Sequence, residues 1–485
     1  NHNSNNISKD WNFDHLDPYP RQCPLQFNQE LLSHHPNSLC PLSGEVNTWA
    51  VWQPSILRQI LKNTATFSSN PYPDERLIGL STTEGYKHDI QKKLITSFFT
   101  RSHLEKNEQQ YQQIARHMIN LFMKQNQGDV VLLAYRIAIS SSLYALGLPL
   151  SHILSDIPMI DQISLWSIDM VKLVAPVGGL GPRYHGISVF ELCKVIYGII
   201  QAIPSTIKLI FNLGLYSSWS IIRPDVNLFL LSPKNCPRAG LFSHPNSIKS
   251  VPEYVNYLLH LWLLYGKQTS NFSSTQLIQE NNKRQDNDTV FKKLCIAKES
   301  GILSQAECLT LLIQCLVGMT TANALVNSIS SLLIQTDVQN GTYSNLTKKY
   351  LNSHEIDSFI SLSLHKYPPL QRLPRRVVGE NDTHLLDQNL PPGSQLLLML
   401  GAANQSNESD ENPSHTSSFT FGFGTHRCLG EELVKIELRS TLSVWMELVH
   451  SKVESIIVGE RISLIDVGNF GYSSFHIQLK SSEMD

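Results

Sequence analysis

One cysteine of this 485-residue chain sits in surroundings suited to chemistry: Phe421-Gly422-Phe423-Gly424-Thr425-His426-Arg427-Cys428-Leu429-Gly430. Three glycines permit a tight turn that brings backbone close to whatever the sulfur holds. Glu431 and Glu432 follow, then Leu433 and Ile436 at helical spacing. Cys428 therefore precedes a helix N-terminus, where amides and the helix dipole favour thiolate over thiol. A thiolate so placed is a nucleophile or a metal ligand. A merely packed cysteine would need neither the glycines nor the aromatic residues. The second candidate is the pair Thr320-Thr321 inside a long apolar stretch. Neighbouring helical threonines often do no more than bond back to a carbonyl.

The elements that must position these groups are mostly helical. Trp49 to Trp52, then Ile56-x-x-x-Ile60-Leu61, reads as a short strand leading into a helix. A helix is expected from about His88 to Phe99. Another starts at Ser304, where Ser304-Gln305-Ala306-Glu307 has capping-box spacing. After that cap the chain is apolar on nearly every side from Leu309 to about Leu333, which predicts one long helix through a large core. Leu396 to Leu400, after Pro391-Pro392-Gly393, reads as a buried strand, and Asn271 to Asp288 as a polar surface loop. Residues 189–222 are greasy: Val195–Ile207 and Leu209–Ile222 carry no charge, and Lys208 alone separates them. Core helix and a surface for membrane contact or substrate entry are the two readings, each stretch being too short for a span.

Charged residues make up 16% of the chain, below the usual quarter, and apolar ones 41%. That composition favours a large interior over a solvated chain. With a net charge of −2 and no basic run, nucleic acid is not an expected partner. The eight cysteines form no C-x-x-C pair, which argues against a disulfide scaffold or zinc site and for a reducing compartment. The first ten residues are polar, without a basic segment and apolar core, so no leader or anchor is expected there. The expectation is a cytoplasmic protein, peripheral at a membrane if 189–222 makes that contact.

The cysteine segment resembles the cytochrome P-450 superfamily, whose Phe-x-x-Gly-x-(Arg/His)-x-Cys-x-Gly pattern is matched by Phe421, Gly424, His426, Cys428 and Gly430. Other landmarks follow in the family's order across almost the whole chain: Asp17-Pro18-Tyr19-Pro20, Thr66-Phe67-Ser68-Ser69, His88-x-x-x-Lys92, Tyr367-Pro368-Pro369 through Arg375, and Ala403-Asn404. The resemblance implies a mainly α fold with a smaller β-rich region, and haem b between the long central helix and the cysteine loop. After a polar disordered tail (1–15), residues 16–485 would form one catalytic domain, with 160–260 as an extended apolar roof over the substrate. It implies that Cys428 ligates iron, that His88, Lys92, Arg375 and His426 hold the haem propionates, and that Phe421, Gly422 and Gly430 shape the loop. Lys92 stands where the family has arginine, keeping the charge but losing the bidentate fork. A thiolate ligand pushes electron density onto iron and favours O–O cleavage.

Two departures matter. The family's Glu-x-x-Arg ion pair falls on Leu362 and His365. Replacing both partners with uncharged groups need not destabilise, whereas losing one strands a charge. The family's distal acid, which relays protons to oxygen at the haem, is also missing: no carboxylate lies between Glu307 and Asp337. Anchoring on Thr320-Thr321-Ala322-Asn323 puts Met319 at the acid and Thr320 at the threonine; anchoring on Val317-Gly318 puts Thr320 at the acid and Thr321 at the threonine. The first expectation is a monooxygenase acting on a hydrophobic small molecule, with electrons from a ferredoxin or flavin reductase. A haem-thiolate enzyme that uses peroxide, isomerises or dehydrates is the alternative, and a non-catalytic haem binder a third.

Overall fold

The computed structural model describes residues 23–34, 39–43, 47–70, 79–174, 189–213, 247–266, 288–316, 318–335, 352–406, 418–453, 455–463 and 469–480. The expected tail at 1–15, and the polar loop at 271–288 apart from Asp288, lie outside them. Helices dominate and strands gather towards the two ends of the chain. β1 (Leu39–Pro41), β2 (Thr48–Val51) and β3 (Phe67–Ser68) come early, and β4 is Gln127–Asp129. β5 (Arg372–Val377), the β6–β7 hairpin (Thr383–Leu385, Gln388–Leu390), β8 (Gln395–Met399), β9 (Ser455–Ser463) and β10 (Tyr472–Lys480) come late. The larger sheet has the order β1-β2-β8-β5-β3. β2 runs parallel to β8, with Trp49 opposite Leu396, and β5 antiparallel to β8, with Arg375 opposite Leu396. One sheet thus joins segments more than 300 residues apart and sets Arg375 beside the β3 turn.

Helix α1 (Pro54–Lys62) follows β2 with proline in its first turn, where the missing N–H costs nothing. α2 is Gly85–Thr96, α3 is Glu108–Met123 and α4 is Val130–Leu146. The Asp129 carboxylate accepts from the Val131 N–H and caps α4. α5 (Ile157–Val174), α6 (Val189–Leu213) and α7 (Ser247–Gly266) are the helices described in and around 160–260. α6 and α5 both pack on α7.

The long apolar helix is the first correction. The Ser304 capping box forms with both bonds present: Glu307 N–H to Ser304 Oγ at 3.2 Å and Ser304 N–H to Glu307 Oε2 at 2.7 Å. The helix then stops. α8 runs Gln305–Cys315, and α9 starts afresh at Met319 and ends at Gln335. α8 packs in a core with α5 and α7, α9 in a second core with α3 and α4, so the break falls where the chain passes between them. Tertiary contacts override the apolar pattern there. α10 (Ser353–Lys366), α11 (Leu400–Gln405) and α12 (Glu431–Lys452) complete the helices that bear on the site.

The greasy 189–222 stretch divides. On α6, Ala202 and Leu209 are buried, while Ile196, Ile199, Ile200, Ile203, Ile207 and Phe211 are exposed. One edge is therefore core and those six side chains face outward; residues 214–222 lie outside the described part. Among the described residues two stretches, Ile196–Leu213 and Gln305–Leu333, are long and apolar enough to cross a bilayer by length and composition, the second being mostly buried core.

Candidate active site

The cysteine loop is built by its own backbone. Two short 3-10 turns, Phe419–Phe421 and Gly424–His426, lead to Cys428, whose N–H donates to the Phe421 carbonyl at 2.8 Å. Gly422 has φ 71° and Gly424 φ 74°, the left-handed region that side chains resist. A side-chain carbon on Gly424 would also lie 2.5 Å from the Leu61 carbonyl oxygen at the end of α1, so only glycine fits. Past the sulfur, Val434 N–H donates to Gly430 O and opens α12. Arg427 pairs with Glu431 at 2.6 Å, and Lys435 bridges Glu431 and Glu432. Phe421 is half-buried, with the Lys435 ammonium 5.9 Å from its ring centre.

Cys428 lies deep within the fold, yet its side chain remains accessible. The expectation that the helix start favours thiolate does not hold for the chain alone. Burial pushes the Cys428 thiol above its ordinary value, and the Gly430 amide and Arg427 only partly offset that. A coordinating metal cation removes the proton outright.

Beside the loop, basic side chains converge from three elements. His88 on α2 and His426 stack edge to face at 4.6 Å between ring centres. Ser69, just after β3, places its hydroxyl 3.1 Å from His426 Nε2. Lys92, one turn beyond His88, donates to Thr425 O at 2.7 Å. Arg375 on β5 is 4% exposed; Nη1 donates to Pro374 O at 2.7 Å, and Nε has no partner among the described residues. Burial lowers Arg375 to about 10, and burial together with His88, Arg375 and Lys92 lowers His426 from 6.5 to about 4. These groups repel one another and solvate poorly, so the site is made for an anion.

That environment gives a signed pH effect. The folded His426 pKa lies below its unfolded value, so as pH falls the unfolded chain takes up the proton first. Haem-free protein should lose stability as pH drops from 6.5 towards about 4. The loss is at most about 3.5 kcal/mol, since each pH unit between the two pKa values contributes ~1.4 kcal/mol. Urea titrations at several pH values should show it, with most of it gone in His426→Gln. An identical pH profile in that variant would refute the assignment.

The distal candidates stand at the helix break. Thr320 and Thr321 lie in the first turn of α9, both partly buried. Cys315, the last residue of α8, is pushed up to about 12 by burial, with Cys428 adding to the effect, so the break and the cysteine loop lie within electrostatic range.

Where the family's ion pair is missing, a neutral cluster stands. Leu362 is 57% exposed, so no buried partner is stranded there. Burial lowers the His365 pKa and favours its neutral form. Asn404 Nδ2 reaches His365 O, Ser418 Oγ and Thr420 Oγ1, each at 3.2 Å, and Oδ1 accepts from Phe419 N–H at 2.8 Å. Thr420 Oγ1 donates to Leu364 O at 2.7 Å. Ser69 enters the sequence reading only as part of the Thr66-Phe67-Ser68-Ser69 landmark, and Ser418 and Thr420 not at all: isolated hydroxyls carry no local signal.

No family model matches the chain. The crystal structure of CYP109E1 from Bacillus megaterium in complex with testosterone superposes with a TM-score of 0.64 at 18% identity, covering 94% of this chain and 98% of that one. P450BioI in complex with hexadec-9Z-enoic acid-ligated acyl carrier protein does so at 0.64 and 16%, covering 95% and 99%. This chain has the cytochrome P450 fold. In sequence it is similar to cytochrome P450 144 of Mycobacterium tuberculosis, 29% identical over 150 residues, and to the biotin biosynthesis cytochrome P450 of Bacillus subtilis, 24% over 184. Those matches span 29% and 36% of this chain and only 32% and 44% of the relatives. The mainly helical P450 fold and the resemblance are thus borne out. P450-fold proteins of this kind use haem b, and the residues here fit it: an accessible thiol on a glycine-built loop, beside a buried cationic cluster with an unpartnered Arg375 Nε.

Proposed function

We propose that this chain is a haem-thiolate monooxygenase of the cytoplasm acting on a lipophilic small molecule. The observation that carries the reading is the joining of the Cys428 loop to the His88–Lys92–Arg375–His426 cluster on one side of the fold. Cys428 would ligate the iron, and the four basic residues would hold the propionates. Bound there, haem supplies one-electron and O2 chemistry that side chains cannot. The net reaction inserts one oxygen atom into a C–H bond and reduces the other to water. It uses two electrons from a ferredoxin or flavin reductase, and two protons. Thr320 and Thr321 would hold water at the distal side. In the register with Thr320 in the acid's place, a hydroxyl stands where the family has a carboxyl. A hydroxyl there passes protons on rather than supplying them, so delivery depends on ordered water or on the substrate.

The ligands named for the two structural neighbours, testosterone and a hexadecenoic acyl chain, support a substrate of steroid or fatty-acyl character. The outward face of α6 extends that reading to a bilayer as the source of substrate. Ile200→Asp should cut the fraction bound to phosphatidylcholine vesicles severalfold, because a charge on the outward face resists leaving water for the lipid interface. Equal sedimentation of variant and parent would remove the bilayer from the proposal.

The deciding experiment is oxygen uptake by purified protein with ferredoxin and its reductase, across a panel of steroids and fatty acids. Substrate-dependent uptake with a hydroxylated product is expected. Turnover under anaerobic conditions without reductant would instead support the isomerase or dehydratase reading, which the missing distal acid favours.

A further inference from the structure

The helix break is held by the roof. Ser167, on α5 and fully buried, donates its hydroxyl proton to Leu316 O at 3.2 Å and accepts from Gly318 N–H at 3.2 Å. One side chain from a distant element thus spans both sides of the interruption. Tyr254, fully buried on α7, adds its hydroxyl at 3.5 Å from the same carbonyl. On the other flank Gly318 is pressed against α4, where a side-chain carbon would lie 2.7 Å from Ile139 Cδ1. Helical bonding resumes when Ala322 N–H donates to Gly318 O at 2.8 Å, so Thr320 and Thr321 are set by the geometry of Gly318.

A serine inside a helix ordinarily bonds to its own backbone, as Ser164 does, one turn earlier, to Ile160 O at 2.8 Å. Ser167 departs from that habit. Gly318 N–H also donates directly to Leu316 O at 2.9 Å, and the Ser167 hydroxyl, donor and acceptor within one atom, ties that turn to α5 at both ends. We infer that Ser167 is a positioning residue that sets the distal threonines and passes movement of the roof helix α5 to them. A lipophilic substrate under the roof thereby alters the pair that handles protons. The assignment rests on the haem-thiolate reading for its function, but the clamp itself is a property of the chain.

The test compares full-length, haem-loaded parent, Ser167→Ala, Ser167→Thr and Tyr254→Phe. Hydrogen exchange is followed by mass spectrometry over 314–324, and 4-phenylimidazole, a probe that ligates haem iron from the distal side, is titrated optically. In Ser167→Ala, exchange over this segment should quicken about tenfold while peptides of α12 stay unchanged. The 4-phenylimidazole dissociation constant should shift about fivefold, and Ser167→Thr should restore both readouts. Unchanged exchange in Ser167→Ala overturns the clamp. Faster exchange with unaltered 4-phenylimidazole binding overturns the coupling, because the bridge would then be structural only. Should Ser167→Ala fail to fold, Ser167→Cys, a weaker donor, and Tyr254→Phe carry the same two readouts and decide the clamp and the coupling in the same way. Failure of the functional reading is separate: the parent would then lack a thiolate-type carbon monoxide band, and exchange on the haem-free chain would still decide the clamp.

Discussion

Reduced, haem-loaded protein exposed to carbon monoxide should show the shifted thiolate-type absorption band, and Cys428→Ser should lose it completely. The serine hydroxyl does not ionise at neutral pH, and its hard oxygen is a poor match for iron in this setting. The cysteine thiol, although raised by burial in the chain alone, gives up its proton on binding a metal cation. Folding should survive the change. The Cys428 side chain stays accessible rather than packed, and the loop is held by the Cys428 amide on Phe421 O and by Arg427 on Glu431. Stability should therefore stay within about 0.5 kcal/mol of the parent. Haem content should fall only in part, because His88, Lys92, Arg375 and His426 remain. Oxygen uptake above background should vanish, since the electron-rich sulfur ligand favours O–O cleavage. A variant that kept the band would sink the assignment of Cys428, and a parent without it would sink the haem-thiolate reading.

What the sequence disclosed depends on how local each determinant is. The Cys428 loop was legible because its glycines, aromatic residues and following helix lie in one run of residues that folds on itself. The basic cluster was legible only as landmarks in a known order: Lys92 and Thr425, which bond, are 333 residues apart, and no periodicity connects them. The helix break was not legible. Leu309 to Leu333 is apolar on all sides, so nothing in its period marks an interruption, and a lone glycine is tolerated inside helices. The side chains that meet Gly318 there, Ser167 and Ile139, come from elements more than 140 residues earlier. Residues 189–222 were ambiguous for the opposite reason. Apolarity without charge fits both a core and a greasy surface, and only the packing of α6 on α7 shows which edge is inside. The helix start that argues for a Cys428 thiolate is local, whereas the burial that outweighs it belongs to the whole fold.

The neutral cluster around Asn404 leads to the second large effect. Asn404→Leu should lower stability by about 2–5 kcal/mol, because the leucine leaves buried polar groups without partners. Four bonds are lost at once: those to His365 O, Ser418 and Thr420, and the one from Phe419 N–H. The Phe419 amide matters most, since Phe419 begins the turn that carries the cysteine loop. Thr420 keeps its bond to Leu364 O, so α10 would be tied to that loop by one hydroxyl instead of a network. Asn404→Asp should be damaging as well, since it keeps the acceptor for Phe419 N–H but loses both donors and buries a charge. Leu362→Glu, by contrast, restores half of the family's ion pair on a side chain that is 57% exposed, and should change stability by less than about 0.5 kcal/mol. Urea unfolding midpoints of the three variants, with haem retention measured alongside, separate the possibilities. If Asn404→Leu unfolds at the parent's midpoint, the proximal side is locked by something other than this cluster. If Leu362→Glu is the more damaging change, the lost ion pair was not replaced by neutral bonds.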